Sequence, residues 1–209
     1  VSAPSRTGTS SSSGTTLTPT LDGWLAAVVA TPGLTSIRDL GEARRALLED
    51  SLRGAELVES YGGPIVDVGS GGGAPGIPLA HVLPAREVVL LEAERRKCAF
   101  LEQWAPPNAR VVWGRAEEQK TDWAGVAVAK ALAQPPTAAE WCLALVREGG
   151  AVVLWVGPTA EPDRVAQVAE RLAGELVEAP PGFLVIRKTG PTPEGFPRRT
   201  GVAKKRPLA

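Results

Sequence analysis

From residue 65 onward, short apolar runs alternate with longer stretches of helical period. The apolar runs at 65–68, 88–92, 110–112, 126–129, 151–156 and 183–187 have the length and near-continuous hydrophobicity of strands buried on both faces. Helical patterns fall at 76–83, 95–104, 137–146 and 162–173, and residues 175–178 can add a short edge strand. This alternation predicts an α/β fold with a mostly parallel sheet covered by helices on both sides. Upstream, residues 21–31 predict one short helix. A second is expected over 39–60, where Leu40, Ala43, Leu47, Leu48, Leu52 and Val58 recur near helical spacing. Gly62-Gly63-Pro64 closes this helical cap.

The division that follows is a Ser/Thr/Gly-rich segment at 1–20 that cannot bury apolar surface, a helical cap at 21–63, an α/β domain at 64–190 and a tail at 191–209. A length of 209 residues fits one domain with a substantial core. The apolar runs are too short to span a membrane and the N-terminus lacks the apolar core of a secretory signal, so a cytoplasmic protein is expected. Cys98 and Cys142 lie in apolar helical patterns and read as reduced, packed thiols; with His81 the single histidine, neither a metal centre nor a histidine-based triad is expected.

The formal net charge of zero hides an asymmetry. Residues 187–209 carry Arg187, Lys188, Arg198, Arg199, Lys204, Lys205 and Arg206 against Glu194 alone, so this end is +6 and the remainder −6. Such a tail suggests contact with a polyanion. Pro191, Pro193, Pro197 and Pro207 stiffen it and argue for a defined path.

Candidate chemistry concentrates between residues 67 and 80. The run 65–68 contains Asp67 and is followed by Gly69-Ser70-Gly71-Gly72-Gly73-Ala74-Pro75-Gly76 and then a helical pattern, the layout of strand, tight turn and helix in a nucleotide-binding α/β fold. Gly71, Gly73 and Gly76 satisfy the dinucleotide fingerprint literally, which leaves a nicotinamide-dependent oxidoreductase as one reading. Asp67 argues against it, because a carboxylate beside the turn repels a diphosphate. A cofactor bearing a sulfonium and an ammonium, as S-adenosylmethionine does, suits an acidic turn better.

Ligands of such sheets bind at the carboxyl ends of the strands. Glu92 ends the second strand and can accept hydrogen bonds from both ribose hydroxyls of an adenosine. The turn Trp113-Gly114-Arg115-Ala116-Glu117-Glu118 can line an adenine pocket, or merely open a helix with favourable acids. Lys130 follows the fourth strand on the side where a substrate would arrive. Arg95-Arg96-Lys97 places cations in a first helical turn, against the helix dipole, which suits either phosphate contact or a solvated face.

Taken together, these residues resemble the bacterial 16S rRNA guanine-N7 methyltransferases, the glucose-inhibited division protein B family. The resemblance rests on Leu34-Thr35-Ser36-Ile37-Arg38-Asp39, Asp50-Ser51-Leu52, Asp67 to Pro78, Glu92 to Leu101, Arg115 to Glu118, Gly149-Gly150, Arg187 to Pro193, Pro197-Arg198-Arg199-Thr200-Gly201 and Lys204 to Leu208. It implies a class I, Rossmann-like methyltransferase with a mostly parallel seven-stranded sheet. It also implies S-adenosylmethionine as donor, and 16S rRNA or the small ribosomal subunit as partner of a monomer. Carried over by position, it gives Asp67, Gly69, Ser70, Gly71 and Gly73 the methionine and ribose end, Glu92 the ribose, and Ala116 with Glu117 the adenine. Lys130, Arg187, Lys188, Arg198, Arg199, Lys204 and Lys205 would face RNA, with Lys130 a candidate for positioning the substrate. The chain departs from the family's usual Asn at Gly33, His at Leu47 and Arg at Lys130. A fold-retaining RNA-binding relative without activity and a small-molecule methyltransferase are the alternatives.

Overall fold

The computed structural model describes residues 20–209; the expectation for the segment before Thr20 lies outside them. Helix α1 (Leu21–Ala30) is capped by Thr20, whose hydroxyl accepts the Gly23 N–H. The 39–60 stretch is not one helix. It divides into α2 (Leu40–Ala43), a π-helical segment (Arg44–Glu49), α3 (Asp50–Leu52) and α4 (Ala55–Glu59). Tertiary contacts cause the division. A Cβ on Gly54 would lie 2.3 Å from the Trp155 ring, whose indole N–H donates to the Asp50 carbonyl at 2.9 Å. At the end of the π segment the Asp50 N–H reaches back five residues to Arg45, and the Ala46 carbonyl it would meet in an α-helix accepts the Lys130 ammonium instead.

The sheet follows: β1 (Ile65–Val68), α5 (Gly76–Val82), β2 (Val88–Glu92), α6 (Arg95–Trp104), β3 (Ala109–Trp113), a 3₁₀ turn (Ala116–Glu118), β4 (Ala124–Lys130), α7 (Pro135–Leu143), β5 (Val146–Trp155), α8 (Pro162–Arg171), β6 (Gly174–Val177), β7 (Phe183–Lys188) and α9 (Val202–Lys205). The seven strands lie in the order β3-β2-β1-β4-β5-β7-β6, with β7 antiparallel to both neighbours and the others of the main sheet parallel. The helical pattern at 137–146 overshoots: α7 ends at Leu143 and Val146 already pairs with Ala124 at the start of β5.

Period-two alternation divides the buried strand residues between two cores. Ile65, Leu90, Val126, Val128 and Val153 pack with Trp24, Leu25, Val28, Ile77 and Leu101, so α1 and the cap helices share a core with one face of the sheet. Val66, Val89, Ala127, Val152 and Leu154 pack with Leu143, Val165 and Val168 of α7 and α8 on the other. The strand order reverses between β2-β1 and β4, and the crevice at the carboxyl ends there is where a ligand belongs.

The residues after β7 form a strap. Thr192 donates its N–H and hydroxyl to Asp122 at the amino end of β4. Arg198 then pairs with Glu140 on α7, and Thr200 and Gly201 reach the 3₁₀ turn at the carboxyl end. The tail therefore climbs the flank of α7 from one end of the sheet to the other.

Candidate active site

A cavity of about 500 Å³ opens at the predicted crevice, within the range of small-molecule sites. Its floor is the glycine loop. Gly69 and Gly71 adopt φ of 71° and 56°, and a Cβ on Gly69 would sit 2.3 Å from Leu132. Gly69, Ser70 and Gly71 line the cavity. Gly73 faces away, where a Cβ would meet Ile77 at 2.5 Å. The loop is pinned from above by α1: the Trp24 indole N–H donates to the Gly72 carbonyl at 2.8 Å. Trp24 was not among the sequence candidates; an aromatic residue in a short helix before the sheet was the available signal.

Asp67 does not face the cavity, which corrects its assignment to direct cofactor contact. It is buried beneath the loop, where Oδ2 accepts the Gly76 N–H at 3.0 Å and so fixes the start of α5. Burial pushes its carboxyl up to about 7, against the lowering effect of the Gly76 and Ser70 hydrogen bonds. Among the described residues, Asp67 Oδ1 and Trp141 Nε1 are buried side-chain atoms without a hydrogen-bond partner. Of the acids that line the cavity, Glu92 is the one bonded to the glycine loop. Its Oε2 accepts the Gly71 N–H and its Oε1 the Glu94 N–H, each at 2.8 Å, and each oxygen keeps a lone pair for a hydroxyl.

Ala116 and Glu117 line the opposite wall with Trp141, and Glu117 Oε1 accepts the Gly201 N–H at 3.0 Å. Lys130 also lines the cavity, its ammonium held by Asp50 and the Ala46 carbonyl. It thereby ties the cap to β4. Leu47, where the resemblance leads one to expect His, also lines the cavity. Gly33 has φ of +82°, a conformation that Gly and Asn both tolerate.

The cations assigned to RNA part company. Lys188 is fully buried, with its ammonium donating to the Leu143 carbonyl at 2.8 Å and to Thr192 at 2.9 Å; the expectation that it contacts RNA is corrected. Burial lowers its pKa to about 8, opposed by Asp122. Arg187 is exposed and paired with Glu175. It lies level with Ile65 through Ala151 and Val126, at the amino end of β1 and far from the cavity mouth. Arg198 makes a bidentate pair with Glu140 at 2.7 and 2.6 Å, and Glu140 is only 3 % exposed. Arg199 and Lys205 are exposed, and Lys204 is exposed on the cavity rim. Arg95 stacks its guanidinium 4.1 Å over the ring of Trp113, which is 57 % exposed, and Lys97 lines the cavity.

The cradle fits S-adenosylmethionine. Glu92, Glu94 and Glu117 line it, the loop's backbone N–H of Gly71 is already committed to a carboxylate, and apolar walls are supplied by Val68, Leu91, Leu132 and Trp141. A diphosphate would meet Glu92 where it needs donors. Fold and site define a class I S-adenosylmethionine-dependent methyltransferase. An O-methyltransferase from Thermotoga maritima superposes with a TM-score of 0.55 at 16% identity, covering 78% of this chain and 73% of that one. A protein from Pyrococcus horikoshii gives 0.53 at 13%, over 66% and 60%. Residues 23–177 match the model of the GidB family, rRNA small subunit methyltransferase G, and the chain belongs to that family. Relatives named ribosomal RNA small subunit methyltransferase G include those of Synechococcus elongatus, 34% identical over 84% of this chain and 82% of its own, and Gloeobacter violaceus, 35% identical over 84% and 78%.

Proposed function

We propose that this chain transfers a methyl group from S-adenosylmethionine to N7 of a guanine in 16S rRNA. The observation that carries the reading is a family member whose cofactor cavity is lined by Lys130, at the end of β4, and by the exposed Lys204 of the tail. The relatives' names supply the substrate class. Bound cofactor supplies an electrophilic methyl group. Guanine N7 is a lone pair without a proton, so the reaction needs neither a general base nor a Lewis acid. The residues at hand agree: Glu92 and the glycine loop orient, Leu47, Leu132 and Trp141 exclude water, and Lys130 is fixed in place by Asp50. Exposed Arg199, Lys204 and Lys205 would attract phosphates in a salt-dependent way. The enzyme would meet ribosomal RNA in the cytoplasm; among the described residues no helix is long and apolar enough to cross a membrane.

The test is transfer of labelled methyl to small-subunit rRNA from cells lacking the endogenous activity, with Glu92→Ala as control. Label at guanine N7 that disappears in the variant supports the reading. Cofactor binding without incorporation into that RNA rejects it.

A further inference from the structure

We propose that the C-terminal strap is a wall of the cofactor site, and that Arg198 is a positioning residue for the cofactor rather than an RNA contact. Three long-range attachments carry this. Arg198 spends its guanidinium on Glu140, 58 positions earlier, and donates its remaining Nη1 to the Arg206 carbonyl at 2.9 Å, closing the strap on itself. Gly201 donates its N–H to Glu117, and Thr200 its hydroxyl to Glu118, so the strap docks on the turn that borders the cavity. Ala203 is buried and Lys204 stands on the cavity rim.

A bidentate pair with a carboxylate this buried leaves little for a phosphate. If Arg198 turned to RNA, Glu140 would remain buried and uncompensated, a cost of the kind that breaking buried pairs incurs. Lys204 completes the wall beside Glu117 and Trp141 only while the strap is docked. Docking and cofactor binding are then one linked equilibrium, and each must strengthen the other by the same factor. The exposed cations Arg199 and Lys205 ride on the same strap, so cofactor occupancy also presents the basic surface. The inference depends on the methyl-transfer reading through the cofactor alone.

The experiment uses the full chain and S-adenosylhomocysteine as probe. Calorimetry is expected to show affinity at least about tenfold weaker in Arg198→Ala, partial recovery in Arg198→Lys, which keeps charge and one donor direction, and wild-type affinity in Arg199→Ala. In the wild type, limited trypsin cleavage after Arg199, Lys204 and Lys205, read by intact mass, is expected to slow at least about fivefold with saturating probe. A merely structural clamp would change thermal stability without that ligand-dependent protection. Affinity of Arg198→Ala within twofold of wild type, or tail cleavage indifferent to probe, overturns the proposal; should Arg198→Ala fail to fold, wild-type protection alone decides. A wild type that does not bind the probe fails the cofactor reading itself.

Discussion

Asp67 ties the stability of the glycine loop to pH. Its carboxyl rises from 3.8 to about 7, because burial beneath the loop removes water that an ionised carboxylate needs. The native state therefore holds its proton more tightly than the unfolded chain, and stability falls as pH rises through that window. At about 1.4 kcal/mol per unit, the full loss is about 4 kcal/mol once pH exceeds 7. Asp67→Asn removes the titration while its amide oxygen can still accept the Gly76 N–H. In urea unfolding between pH 5 and 8, wild type should lose about 2.5 kcal/mol relative to Asp67→Asn, whatever the offset at the lower pH. Curves that run parallel across this range, within about 0.5 kcal/mol, would show that the carboxyl titrates normally and that the burial argument is wrong.

Other perturbations probe the rest of the architecture. Trp24→Phe removes one donor to the Gly72 carbonyl and should weaken S-adenosylhomocysteine binding about fivefold by calorimetry while the fold persists, since a lone hydrogen bond contributes about 1 kcal/mol. Lys188→Met leaves the Leu143 carbonyl without its lysine donor and removes the cation facing Asp122, which keeps its bonds from Thr192, and should cost about 1–3 kcal/mol in urea unfolding without changing RNA affinity. Lys130→Met unties β4 from the cap, so amide exchange across the π segment at 44–49 should accelerate while the core strands stay protected; unchanged exchange there would separate the π geometry from the lysine.

The strands were legible because burial on both faces makes each a short continuous apolar run, and the glycine loop because its backbone geometry excludes most side chains. Residues 39–60 misled for a physical reason. Their helical period is real, but Trp155 and Lys130, more than 80 positions away, interrupt it. The tail's composition revealed its charge and not its disposition. Nothing local distinguishes Lys188, buried under Thr192, or Arg198, locked on Glu140, from the exposed Arg199 beside it. One signal was present: Glu140 stands among buried residues of α7, Ala138, Ala139, Cys142 and Leu143, where an acid requires a cation from elsewhere.

The strap also orders events during synthesis. Chains emerge amino end first and fold progressively as they do. The glycine loop, Glu92 and the turn at Glu117 are all translated well before Arg198 and Gly201, which complete the wall beside them. A nascent chain of this protein, still attached to the ribosome that makes it, has an open-sided pocket. Competence toward ribosomal RNA would then arrive only once residues 198–204 are made, so a product that stops before them would be inert rather than half-active.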